Sequence, residues 1–263
     1  MGEKTKIAWC DSTFNCWLGC SRAGPGCDHC YAEAQDARKR WGGVTHWGPG
    51  VPRHRTSESY WKQALAWNKK AAKSGEPWRV FCASLADVFD NEVPQLWRQD
   101  LWHLIGQTPH LSWLLVTKRF GNVRAMVPGV WLDQFPSNVR ILITVCNQEE
   151  ADRDIPKLLA LPCKNGISYE PALGPVDLRN VTMPDGDSLG IGLFNHGEGR
   201  GVEWVIVGGE SGPKARPFNL TWARSTVEQG KAAGVPVFVK QFGNNAGTML
   251  EAYGGTWEKF PTK

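Results

Sequence analysis

What most constrains this chain is a repeated pairing of a short apolar, β-branched run with a helix-forming segment. The runs are Arg79 to Ala83, Trp113 to Thr117, Arg140 to Val145, Gly166 to Tyr169, Trp204 to Val207 and Val235 to Val239. Each is nearly continuous in apolar character, as expected of a strand covered on both faces. The helical segments are Ala32 to Trp41, Glu58 to Lys73, Pro94 to Gly106, Gln148 to Ala160 and Leu220 to Ala233. In the second of them Tyr60, Ala64, Trp67 and Ala71 recur at helical spacing and form one apolar stripe. With a first strand at Lys6 to Cys10, the alternation predicts an α/β fold: a single parallel (β/α) barrel, complete or partial, of about six or seven βα units.

A chain of 263 residues that is 41% hydrophobic can bury one large core, so a single domain over residues 1–263 is expected. Two Gly-rich stretches, residues 42–57 and 182–201, interrupt the rhythm and read as long loops or small insertions. No apolar run approaches the roughly 20 residues that span a bilayer, and the first residues lack the apolar core of a signal peptide. No membrane partner and a cytoplasmic location are expected. A net charge of +4 is compatible with a nucleic-acid partner but is not the footprint of a dedicated binder.

In a reducing compartment eight cysteines do not make a disulfide framework, so a tight group of them calls for a metal or for redox chemistry. Five fall between Cys10 and Cys30, whereas Cys82, Cys146 and Cys163 are scattered in or beside apolar segments and read as core. The cysteine loop, residues 16–31, carries Cys16, Cys20, Cys27 and Cys30 ahead of a helix-forming run. A structural zinc site wants four ligands, which Cys16 or His29 would complete; a cluster with three protein ligands leaves one iron open. Spacing alone does not separate the two.

Polar residues stand where the runs end, the position at which a barrel builds its active site. Ser84, Asp87 and Asp90 follow the first run, Lys118 and Arg119 the second, Thr144 and Asn147 the third, Glu170 the fourth, Glu210 the fifth and Lys240 the sixth. Emergence into water explains any one of them, but the whole set less well. The Gly208-Gly209-Glu210-Ser211-Gly212 turn lacks the spacing of a dinucleotide fingerprint or a P-loop and reads as a close-approach turn with Glu210 inward.

The strings GCSRAGPGCDHCYAE, SLADVFD, LLVTKR, ISYEPALGPVDL, WVIVGGESGPKARP and FVKQFG together resemble a bacteriophage and prophage protein family with a three-cysteine motif, regarded as radical-SAM-like. The resemblance implies a 4Fe-4S cluster on Cys20, Cys27 and Cys30, with Cys16 outside the ligand set. It implies S-adenosylmethionine as the second cofactor, its amino and carboxylate groups on the unique iron, and an electron donor such as flavodoxin or ferredoxin. Reductive cleavage would give a 5′-deoxyadenosyl radical that abstracts hydrogen from the substrate. The cysteine spacing departs from the usual Cys-x3-Cys-x2-Cys of radical-SAM enzymes.

On that resemblance, Ser84 and Asp87 are expected at the SAM amino end, His29 near the adenine, and Thr144 and Asn147 at ribose or substrate. Glu170, Glu210, Lys118 and Lys240 are the expected catalytic and substrate-facing groups. The implied partner is phage DNA or a modified nucleotide, with hypermodification of thymine as the implied reaction. The basic loop residues Arg53, His54 and Arg55 favour such a partner, as would base-stacking platforms among the fourteen tryptophans, which more often serve as core or rim packing. Two rivals remain: a zinc-stabilised nucleic-acid-binding accessory protein, and a hydrolase using Asp87, Asp90, Glu170 and Glu210 on divalent metals.

Overall fold

The computed structural model describes residues 5–39, 41–182, 188–190, 201–212 and 214–241. The chain divides into two compact units: residues 1–24, 30–142 and 162–164, and residues 25–29, 143–161 and 165–263. The first unit runs β1 (Ser12–Thr13), β2 (Trp17–Leu18), α1 (Tyr31–Lys39), β3 (His54–Arg55), α2 (Glu58–Ser74), β4 (Trp78–Cys82), α3 (Gln95–Gly106), β5 (Leu111–Thr117), α4 (Val123–Met126), α5 (Gly129–Asp133) and most of β6 (Val139–Thr144). The second carries α6 (Gln148–Leu159), β7 (Lys164–Tyr169), β8 (Asn180–Thr182), β9 (Ser188–Gly190), β10 (Val205–Gly208), α7 (Leu220–Ala233) and β11 (Val237–Gln241).

In the first unit β1, β4, β5 and β6 are neighbours in that order, and in the second β7, β10 and β11 are. The pairs β1/β4, β4/β5, β7/β10 and β10/β11 are parallel, which is the expected α/β class. Among the described residues no pairing closes these strands into a ring, so the complete barrel is not found. Residues of the central strands are buried nearly throughout; all six of β6 are. That is why their sequence reads as continuous apolar character rather than alternation.

Two elements differ from expectation. The first strand is Ser12–Thr13, not Lys6 to Cys10: Cys10 N–H donates to Ile7 O in a turn, and pairing with β4 begins after Asp11, whose carboxylate accepts from Arg79 N–H at 2.7 Å. Between β5 and β6, where no helix was expected, α4 and α5 fill the connection as two short pieces separated by Pro128. The insertion at 182–201 lies largely outside the described residues, although Ser188–Gly190 pairs antiparallel with Asn180–Thr182.

Helix boundaries follow their caps. Ser57 Oγ accepts from Tyr60 N–H at the head of α2, and Gly75 takes φ 72° at its foot. In the first unit the core centres on Phe14, fully buried, with ring centroids 5.2 Å from Tyr60 and 5.4 Å from Trp113. The stripe read from Tyr60, Ala64, Trp67 and Ala71 is buried as expected. No helix among the described residues is long and apolar enough to cross a membrane.

Candidate functional site

In the first unit the chain leaving β1 is fastened to the chain leaving β4 by one buried amide. Asn15 Oδ1 accepts from Leu85 N–H at 2.7 Å, and its Nδ2 donates to Ser84 Oγ at 3.1 Å. Tyr31, directly after Cys30, donates its hydroxyl to Ser84 O at 2.6 Å. Cys30 packs against the buried cluster of Leu18, Ala32 and Leu85 together with Trp41 and Trp47. Ser84 is therefore the point to which both ends of this part of the cysteine loop return.

Asp87 is buried and has no spare oxygen. It accepts from Thr117 Oγ1 at 2.8 Å, from Phe89 N–H at 2.9 Å and from Lys118 N–H at 3.0 Å, so it aligns the exit of β5 with that of β4. Arg119 extends from the same exit toward Cys20. Its Nη1 donates to Cys20 Sγ at 3.5 Å and its Nη2 to Ser21 O and Oγ at 2.8 Å each. Burial pushes the Cys20 thiol up to about 12, Asp87's charge adds to this, and Arg119 opposes it.

The insertion at 42–57 is built into this unit. Its β3 pairs antiparallel with β2. Arg53 has no exposed side-chain surface: Nε donates to Asp90 Oδ2 at 2.7 Å, and Nη1 donates to the carbonyls of Val51, Gly48 and His46. Gly48 N–H in turn donates to Cys20 O at 2.9 Å. Arg55 lies 4.3 Å over the Trp61 ring and pairs with Asp100 at 2.8 Å. Arg53 and Arg55, read from sequence as basic loop residues in favour of a nucleic-acid partner, are thus engaged by internal partners. Trp17, Trp113 and Trp204 are fully buried core, the commoner role of tryptophan.

In the second unit Glu210 gathers a different set. Its side chain is 5% exposed and accepts from Arg216 N–H at 2.8 Å, from both Nε and Nη2 of Arg216, and meets His29 Nδ1 at 3.1 Å. Arg216 also donates to Pro25 O at 2.8 Å and to Asp28 Oδ2 at 3.2 Å. Burial raises the Glu210 carboxyl, but the donors from Arg216 and His29 outweigh it and hold the group down at about 2. A register shift in the β10/β11 pairing at Val207/Gly208 precedes it, with Gly209 N–H on Gln241 O at 3.0 Å.

The remaining expected residues of this unit are placed as follows. Glu170 pairs with Lys240, and Gln241 Nε2 lies 3.5 Å from the same carboxylate. Asn147 caps α6, accepting from Glu150 N–H at 2.9 Å, while Glu150 accepts from Cys146 N–H at 2.8 Å. Thr144 Oγ1 is buried and has no hydrogen-bond partner among the described residues.

Arg119 and Arg216, two cations that touch the cysteine loop, were given no site role from the sequence. Arg119 was visible as the third residue of a polar strand end. Nothing in the local pattern SGPKARP singles out Arg216, because its partners, Asp28 and Pro25, are far away along the chain. The carboxylates of the hydrolase reading are likewise engaged elsewhere, Asp87 by Thr117, Asp90 by Arg53, Glu170 by Lys240 and Glu210 by Arg216.

The donor chemistry of the loop fits an iron–sulfur cluster. Cys20, Cys27 and Cys30 are all thiols without a disulfide, and the first receives a guanidinium N–H. They are not gathered: among the described residues no three His, Cys, Asp or Glu side chains are grouped to hold a metal ion.

Two solved structures are similar to this chain. A cysteine-to-serine mutant of spore photoproduct lyase matches with a TM-score of 0.48 and 16% identity, over 87% of this chain and 63% of that one. A double mutant of spore photoproduct lyase, solved with bound AdoMet and dinucleoside spore photoproduct, matches with a TM-score of 0.44 and 15% identity, over 82% and 60%. The chain thus spans less than two thirds of the length of either. No curated protein matches it. The family described as "Protein of unknown function (DUF5131)" matches residues 4–258, nearly the whole sequence, and the chain belongs to that family.

Proposed function

We propose that this chain carries a 4Fe-4S cluster on Cys20, Cys27 and Cys30 and performs radical chemistry with S-adenosylmethionine on a base or nucleotide of DNA. The observation that carries the reading is the cysteine loop itself: three thiols ahead of α1, the first of them accepting from Arg119. When bound, the cluster supplies the electron that cleaves S-adenosylmethionine to a 5′-deoxyadenosyl radical.

The protein's own residues do the holding. Ser84 and Asp87 are assigned to the end of the site where the SAM amino group binds, Ser84 directly and Asp87 by aligning Thr117 and Lys118. Thr144 and Asn147 are assigned to ribose or substrate, supported by the buried Thr144 hydroxyl, which has no partner among the described residues and is the kind of group a ligand satisfies. Lys118 and the Glu170–Lys240 pair are assigned to substrate, where a paired lysine and carboxylate can pass a proton without either charge standing alone. The electron donor is a small electron-carrier protein such as flavodoxin or ferredoxin, and the setting is that of a phage or prophage gene product in the bacterial cytoplasm.

The test is anaerobic reconstitution with iron and sulfide, beside a variant with Cys20, Cys27 and Cys30 all changed to Ala. Brown protein with about four irons, absent in the variant and releasing 5′-deoxyadenosine with SAM and dithionite, is expected. Colourless wild-type protein holding zinc, with no SAM cleavage, overturns the reading.

A further inference from the structure

The middle of the cysteine loop, residues 25–29, belongs to the second unit, and there it meets Arg216 and Glu210. Arg216 donates to Pro25 O at 2.8 Å and to Asp28 Oδ2 at 3.2 Å, so it spans both sides of Cys27. Arg216 is itself fixed by Glu210, which accepts from its backbone and its guanidinium and also meets His29 Nδ1 at 3.1 Å. Glu210 has 5% of its side chain exposed, against 28% for Arg216. The buried carboxylate is the anchor, the arginine the arm and the loop the load.

The local sequence of this loop favours little order by itself. The segment is Ala23-Gly-Pro-Gly-Cys27-Asp-His29, and its two glycines lower the local preference for any one conformation. Only Pro25–Cys27 forms a helical turn, a single 3-10 turn that is too short to be stable alone. Yet Cys27 is 8% exposed. Hydrogen bonds from a guanidinium to a carbonyl and a carboxylate on either side of a residue are charge-assisted and directional, and they fix what lies between.

We infer that Arg216, held by Glu210, is a positioning residue that sets the conformation of the loop around Cys27. The geometry assigns it no contact with a substrate. As a consequence for cluster loading the inference rests on Cys27 being a ligand; as a statement about the loop it does not.

The experiment therefore reads both. In metal-free, reduced protein, alkylation of Cys27 by iodoacetamide is followed by peptide mass spectrometry, with the core thiol Cys163 as the internal control for global unfolding. Burial makes labelling of Cys27 report local opening. Arg216→Ala is expected to speed Cys27 labelling by about tenfold or more without changing the Cys163 rate. Arg216→Lys, which keeps the charge but not the two-sided reach, should fall between. Asp28→Ala removes one arm alone and should give a smaller acceleration; it serves as the reading should Arg216→Ala not fold. Iron content after reconstitution should fall in the same order.

Cys27 labelling at the wild-type rate in Arg216→Ala, or in Asp28→Ala where that is the variant read, overturns the inference. Faster labelling with a wild type that takes up no iron sinks the cluster reading and keeps the positioning role. Unchanged labelling with a wild type that loads about four irons does the reverse.

Discussion

Cys16 Sγ lies 3.9 Å from Cys82 Sγ, and both side chains are fully buried. The two thiols satisfy each other between the exit of β1 and the end of β4, which gives Cys16 an occupation apart from the metal set. Burial, followed by the contact with Cys16, drives the Cys82 thiol upward, so Cys82 stays protonated at neutral pH. Cys16→Ala is expected to reconstitute with wild-type iron content and to cost only about 1 kcal/mol, the scale of a small core truncation. Iron assay and a urea midpoint check it. A clear drop in iron at an unchanged midpoint would put Cys16 among the ligands.

The Arg53–Asp90 pair is the opposite of a surface ion pair. Its side chains are 0% and 1% exposed, and Arg53 also serves three carbonyls of its own loop. Removing the arginine leaves a buried carboxylate with much of its compensation gone. Arg53→Met should therefore lower the unfolding free energy by about 3–5 kcal/mol, with Arg119, 3.8 Å from Asp90, limiting the loss. Arg179→Ala, which breaks the exposed pair with Asp177, should leave the denaturation midpoint where it was. Equal effects from the two variants would contradict the burial argument.

How far the sequence carried this structure depends on the range of the contacts. The apolar runs and helix stripes are local, so the parallel α/β class, the Leu220–Ala233 helix and the buried face of α2 were legible from residue order alone. Whether the sheet closes is set by how edge strands meet, which no single run encodes. The site divides in the same way. Asp87 stood out as a strand-end carboxylate, but its engagement by Thr117 and Lys118 depends on the β4/β5 register. Asn15 and Arg216 reach partners 70 and 191 residues away at their farthest, and no local pattern marks them. Glycine and proline content marked the 42–57 stretch as a loop or small insertion, but it is silent on whether that loop is packed.

Glu210 makes stability depend on pH on the acid side. Its folded value of about 2 lies below the ordinary 4.5. The folded state therefore binds that proton more weakly than the unfolded chain does. Its contribution is complete above about 4.5 and is lost as pH falls from there through about 2. Glu210→Gln should flatten the decline of the urea midpoint within this window relative to wild type, while lowering the midpoint at neutral pH. Parallel acid limbs for the two proteins would show that the carboxylate gains nothing from Arg216 and His29.

Gly19 precedes Cys20 and has φ +100°, a conformation that residues with a Cβ rarely adopt. Space closes the position as well: a Cβ there would come within 2.2 Å of His46 O. That carbonyl cannot move away freely, because it accepts from buried Arg53 Nη1 while His46 N–H donates to Asp36 Oδ2 at 2.7 Å. The insertion and the cysteine loop are therefore in backbone contact at this glycine, and Gly48 N–H holds Cys20 O one residue further on. Gly19→Ala should cost at least about 1–3 kcal/mol from backbone strain alone, and the displaced loop should take up less iron on reconstitution than wild type. Gly50→Ala tests whether strain by itself is enough, since Gly50 also has a positive φ of 71° but nothing within 4 Å of its would-be Cβ. It should lose some stability and keep its iron. If both variants behave alike, the insertion is not what seats Cys20.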